Sequence, residues 1–167
     1  MRHITLSGQN IIRIFLNWAV GRSALQNKEE EKMATIKNEY LGGLRTEGTH
    51  VASGNQVITD APIDNMGKGE AFSPTDLMSF SLSACMMTIM GQVADRENID
   101  LKGLTTDITK VMSAAPRRIA EIHVSFSWPN LDLSKKQETM LVNAAKTCPV
   151  ALSIHPDIKL EVSFNLK

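Results

Sequence analysis

One stretch of this chain constrains its fold more than any other. Ser73-Pro74-Thr75-Asp76 predicts a helix start. Ser73 can cap, Pro74 suits the first helical position, and Asp76 stands where a capping box needs its acid. Leu77, Met78, Phe80, Leu82, Ala84, Cys85, Met86, Met87, Ile89, Met90 and Val93 follow, before the charged cluster Asp95-Arg96-Glu97. Apolar residues occupy nearly every side of this predicted helix, and a helix without a polar face belongs at the centre of a structure. A chain of 167 residues can hardly wrap such a helix with one copy of itself, so a dimer interface is expected to supply the second wall.

The flanking sequence supplies strands. From Thr35 to Asp60, polar and β-branched runs are broken by Gly42-Gly43 and Gly54-Asn55, hairpin dipeptides that predict a three-stranded meander. Pro62, Asp64, Asn65, Gly67 and Gly69 make 61–72 a loop. Beyond the central helix, Leu101–Met112 and Arg117–Trp128 read as two strands around a break at Ala114-Ala115-Pro116. In the second of them, Ala120, Ile122, Val124, Phe126 and Trp128 alternate with Glu121, His123, Ser125 and Ser127, which predicts one buried face. Ser134-Lys135-Lys136-Gln137 opens another capped helix, and Cys148-Pro149-Val150-Ala151-Leu152 forms a short segment after it. Leu160, Val162, Phe164 and Leu166 then alternate with polar residues in a closing strand. The order is βββ-α-ββ-α-α-β, an α+β fold.

Residues 1–32 read as an extension outside a domain spanning 33–167. The apolar run from Ile11 to Val20 is short and carries Arg13, and Lys28-Glu29-Glu30-Glu31-Lys32 reads as solvated linker. The rival reading is an amphipathic helix docked on the domain or on a partner.

Lys plus Arg equals Asp plus Glu at 18 each, so the chain lacks the electrostatic footprint of a nucleic-acid or anionic-membrane binder. No segment is expected to reach transmembrane length, and a cytoplasmic protein without nucleic-acid or membrane partners is expected. The two cysteines, Cys85 and Cys148, form no CxxC pair, which argues against a zinc knuckle or a disulfide-stapled scaffold. Each has two readings. Cys85, among methionines and leucines, is a small buried hydrophobe or a redox thiol. Cys148 precedes Pro149 and so falls at a helix N-cap, where free N–H groups favour a thiolate, or it is a tolerated cap residue. Of His3, His50, His123 and His155, only His155 lies near a cysteine in sequence, and nothing orients it. Two distant cysteines and scattered histidines lack metal-ligand spacing. No cofactor is expected.

Taken together, Ser73-Pro74-Thr75-Asp76-Leu77, Ser83-Ala84-Cys85 inside the apolar helix, and Cys148-Pro149-Val150 resemble the OsmC/Ohr family. Gly43-Leu44-Arg45-Thr46-Glu47-Gly48 and Asp60-Ala61-Pro62 resemble its OsmC-like branch. The resemblance implies an intertwined homodimer and a peroxidase that takes organic hydroperoxides. In that scheme Cys85 attacks the peroxide, Cys148 resolves the sulfenic acid as a disulfide, and an external dithiol restores the pair. It implies further that Arg45 stabilises the thiolate and binds the peroxide. The typical peroxidases carry a glutamate after the helix-opening proline that pins this arginine. Here that position is Thr75, so Arg45 is expected to be loose unless Glu70 in the preceding loop stands in. The alternatives are a non-enzymatic dimer that binds small molecules or senses redox state and, more distantly, a Cys-His hydrolase.

Overall fold

Both predicted helix starts are capping boxes. In the computed structural model, which describes residues 34–128 and 132–166, Ser73 accepts from the Asp76 N–H while Asp76 accepts from the Ser73 N–H. Ser134 and Gln137 repeat the arrangement. Each box satisfies backbone donors that would otherwise be orphaned at the helix end. The first opens α1, Pro74–Glu97, and the second opens α2, Lys135–Lys146. A single further turn, α3, spans Pro149–Ser153.

The strands are β1 (Ile36–Gly42), β2 (Arg45–His50), β3 (Gln56–Asp60), β4 (Thr105–Ala114), β5 (Arg117–Ser127) and β6 (Lys159–Asn165), with a 3-10 turn at Ile63–Asn65. The order is the expected βββ-α-ββ-α-α-β. One sheet runs β1-β2-β3 and the other β4-β5-β6. In the second sheet β4 pairs antiparallel with β5, and β6 pairs parallel with β5. The chain divides into two compact units. The larger takes Asn38–Glu47 and Val57–Lys167 and contains every site residue discussed below. The described part of the smaller is 34–37 with Gly48–Gln56. Within it, His50 and Val51 donate backbone hydrogen bonds to Asn55 and Thr35. The expectations for 1–32 lie outside the described residues.

The core of the larger unit lies between α1 and the second sheet. Leu82, Met86 and Met90 on α1 are buried with Ile122, Val124 and Phe126 of β5 and Leu141 of α2. Phe126 stacks on Phe164 of β6 with ring centroids 4.8 Å apart. One expectation fails in register. Ile119 rather than Ala120 turns inward, because the β4–β5 pairing steps from Val111↔Glu121 to Met112↔Ile119 and leaves Ala120 as the extra residue of a bulge. A single inserted residue reverses which face each later side chain takes.

A second expectation also needs correction. α1 is long and apolar enough by length and composition to cross a membrane. It is nevertheless packed by α2, α3, β4 and β5, as the core helix of a folded domain would be. Its buried residues form one stripe, Ser79, Leu82, Ser83, Met86, Met90 and Ala94. The opposite side is open in a single chain, with Phe80 54% exposed.

Candidate functional site

Two thiols distant in sequence meet where α3 packs against α1. Cys148 is the N-cap of α3 and is fully buried. Its sulfur accepts a hydrogen bond from the Ala151 N–H at 3.2 Å. Cys85, partly buried on α1, is near enough to Cys148 to influence its ionisation, and both thiols are free.

The N-cap position is as expected, and of its two readings the electrostatics favour the tolerated cap over the thiolate. Burial pushes the Cys148 thiol above the ordinary thiol range, and the Cys85 side chain adds to the rise. The Ala151 N–H works the other way and does not prevail. A single helical turn offers little dipole, whereas desolvation always penalises the charged form of a thiol. The fold therefore favours protonated Cys148. That contribution to stability is fully present below the unfolded-state value and is lost as pH rises through the folded one. In Cys85→Ser, the thiolate absorbance of Cys148 should appear at higher pH in the folded protein than in denaturant. Equal midpoints would mean that burial does not control this thiol.

The second cluster is built on the β1–β2 turn. Gly42, Gly43 and Leu44 have φ of 86°, 57° and 64°. A left-handed leucine costs about 1–3 kcal/mol. Here it is held on both sides, since its N–H donates to the Tyr40 hydroxyl and its carbonyl accepts from the Ala61 N–H. The turn delivers Arg45 to the head of β2. Arg45 Nε and Nη2 donate to the two oxygens of Asp60 at 2.7 and 2.8 Å, and Nη2 donates to Glu70 at 2.7 Å. The Glu70 N–H donates to Asp60 in turn. This loop closes tightly, because a Cβ on Gly67 would lie 1.7 Å from the Ala61 carbonyl oxygen. Arg45 holds the Asp60 carboxyl below the usual carboxylate range, and the two acids raise the guanidinium further.

Arg45 is therefore not loose, as the change to Thr75 led us to expect: it bonds to Glu70, the loop acid named as a stand-in, and to Asp60, which the expected site did not include. The signal was present in the sequence, since Asp60 is the single charge in β3 and ends it.

Thr75 belongs to a different cluster. Lys110 Nζ donates to Thr75 Oγ1 and Ser73 Oγ at 2.9 Å each, and to Asp76 Oδ1 at 2.5 Å. Burial opposes ionisation of Asp76, but the bonds from Lys110 and Ser73 outweigh it and hold the group below its usual range. Lys110 and Asp76 line a cavity of about 650 Å³ with Glu70, Phe72, Phe80 and Ile108. Cys85 is not in its lining.

Among the described residues, no hydrogen bond joins Arg45 or Glu70 to either cysteine. The described histidines have other partners: His50 pairs with Ser53, His123 with Glu121, and His155 with the Asp157 N–H. Glu121, His123 and Glu161 bring three possible metal ligands within 4.8 Å. The Lys159 ammonium already contacts both carboxylates there.

The fold is similar to those of known proteins. A structure from Psychrobacter arcticus, an osmotic stress induced and detoxification response protein, is 51% identical, with a TM-score of 0.77 over 80% of this chain and 97% of its own. The organic hydroperoxide resistance protein OsmC of Legionella pneumophila is 18% identical, with a TM-score of 0.58 over 81% of this chain and 100% of its own. A Vibrio cholerae organic hydroperoxide resistance protein with captopril bound in one active site is 19% identical, with a TM-score of 0.62 over 83% and 96%. The latter two show the shared fold. No curated protein matches significantly. Residues 67–163 match the family of OsmC-like proteins, and the chain belongs to that family.

Proposed function

We propose that this protein is a thiol peroxidase that reduces organic hydroperoxides. The observation that carries the reading is the meeting of two free thiols from separate helices, one of them kept protonated by burial. Cys85 as thiolate attacks the terminal peroxide oxygen. The O–O bond breaks, the alkoxide takes up a proton and leaves as alcohol, and Cys85 becomes a sulfenic acid. Cys148 then attacks the Cys85 sulfur, water departs, and a disulfide forms. An external dithiol reduces that disulfide by exchange and is itself oxidised. Protonated Cys148 suits the first step, since a neutral thiol does not compete for the peroxide; in the second it gives up its proton as it attacks, and that proton leaves with the Cys85 hydroxyl as water. The need for a reducing dithiol favours a cytoplasmic setting.

Arg45 is the cation of the site. No bond joins it to the cysteines within one chain, so we place the junction of the two clusters at a homodimer interface. An organic substrate is favoured because Glu70, which grips Arg45, also borders a cavity walled by Phe72, Phe80 and Ile108. The neighbours named organic hydroperoxide resistance proteins point the same way. The separation of the clusters also gives weight to a second reading, a redox-sensing or small-molecule-binding dimer without turnover.

A peroxide-consumption assay with a dithiol reductant decides between them. A bulky alkyl hydroperoxide should be consumed catalytically and faster than hydrogen peroxide. No turnover of either would favour the non-enzymatic reading.

A further inference from the structure

We infer that Asp60 is the positioning residue of this site, fixing Arg45 so that one edge of its guanidinium is presented to the reacting oxygens. Its catalytic consequence rests on the peroxidase reading, while the anchoring can be tested without it. A guanidinium has five N–H donors. Asp60 takes the Nε hydrogen and one on Nη2, and Glu70 takes another from Nη2. The two hydrogens on Nη1 have no partner among the described residues. A fork held along its Nε–Nη2 edge can turn only by breaking two parallel bonds at once, so Nη1 keeps one direction.

The two acids are unequal. Asp60 is 1% exposed, and the Glu70 side chain is 62% exposed. Water and salt compete for the Glu70 contact and scarcely reach the Asp60 contact. Asp60 is also immobilised through its own backbone, whose N–H donates to the Phe72 carbonyl, and by the Glu70 N–H on its carboxylate. Glu70 therefore trims the orientation, and Asp60 sets it.

The test uses the full chain with Asp60→Asn, Asp60→Glu, Glu70→Gln, Arg45→Ala and the double variant Arg45→Ala/Asp60→Asn. Two quantities are read: kcat/KM for an alkyl hydroperoxide with excess dithiol, and solvent exchange of the Arg45 Nε–H by NMR. Asp60→Asn should lower kcat/KM roughly 10- to 100-fold, since an ångström of misplacement can cost about 10²-fold, and should make the Nε–H exchange quickly. Glu70→Gln should lose far less and keep the slow exchange. The double variant should be no worse than Arg45→Ala, because Asp60 acts through Arg45. If Asp60→Asn does not fold, Asp60→Glu keeps the charge while moving the fork, and it should still lose turnover. Slow Nε–H exchange surviving in Asp60→Asn, unchanged turnover in Asp60→Glu, or losses that multiply in the double variant would overturn the inference. If the wild type turns over no peroxide, the peroxidase reading and the catalytic role fall together, and Nε–H exchange alone then decides whether Asp60 is the anchor.

Discussion

Cys85→Ser is expected to reduce peroxide consumption to the uncatalysed rate, while Cys148→Ser reacts once per chain and stops as a Cys85 sulfenic acid. The asymmetry follows from where each sulfur sits. Cys148 is fully buried and held as a thiol, and a thiol is a poor nucleophile towards peroxide. Once Cys85 carries oxygen, Cys148 is already beside it, and the Ala151 N–H that its sulfur accepts can stabilise negative charge as the proton leaves. Both variants should fold. Serine is a better N-cap than cysteine at 148, and position 85 is only partly buried. Intact-mass measurement after one equivalent of alkyl hydroperoxide should show a Cys85–Cys148 disulfide in the wild type and a single added oxygen in Cys148→Ser. Wild-type turnover persisting in Cys85→Ser, with both wild-type thiols still free after peroxide, would refute the scheme.

What was legible in the sequence is what local chemistry decides. Ser73 with Asp76 and Ser134 with Gln137 announce helix starts three residues apart, and both formed as read. Cys148 before Pro149 announced an N-cap, and it is one. The thiol's acidity stayed open between two readings because burial is a property of the assembled fold and not of the Cys-Pro dipeptide. Ala120 was misplaced for a related reason: strict alternation holds only while the ladder is unbroken, and a bulge shows in pairing rather than in composition. Asp60 was missed as a partner of Arg45 because it reaches it across 15 positions, and Glu70, 25 positions away, was legible only as a possible stand-in.

Thr75 shows the limit most clearly. Along the motif it replaces a glutamate, which suggested a loose arginine. In space it faces Lys110 from β4, so a glutamate placed there would meet that ammonium before any guanidinium. A motif records which residue stands at a position, whereas pinning depends on partners supplied by other elements.

A stable homodimer is expected at low micromolar concentration, and Ala84→Arg is expected to break it. Leu77, Phe80, Ser81, Ala84, Thr88 and Gly91 follow one another at helical spacing on the side of α1 away from its buried stripe, and none of them is buried in a single chain. A side chain added at Gly91 would meet nothing within 4 Å. Small residues along such a stripe let a second helix approach closely, and Phe80 at 54% and Phe72 at 60% exposure leave apolar surface beside it. Tyr40, Leu41, Val57 and Ile58 on the first sheet are exposed as well, more apolar surface than a lone chain would gain by leaving in water. An arginine at 84 would bury an unpaired charge in that contact at a cost of about 3–5 kcal/mol, which weakens association by more than about 10²-fold. It points away from the core stripe, so the fold should survive. Sedimentation velocity should give a dimer for the wild type and a monomer for the variant, with unchanged far-UV circular dichroism. If the two clusters join only across the interface, the monomeric variant should also lose peroxide turnover while Cys85 and Cys148 remain adjacent. A wild-type chain that sediments as a monomer would refute the dimer, and a monomeric variant with full activity would place Arg45 and Cys85 in one chain after all.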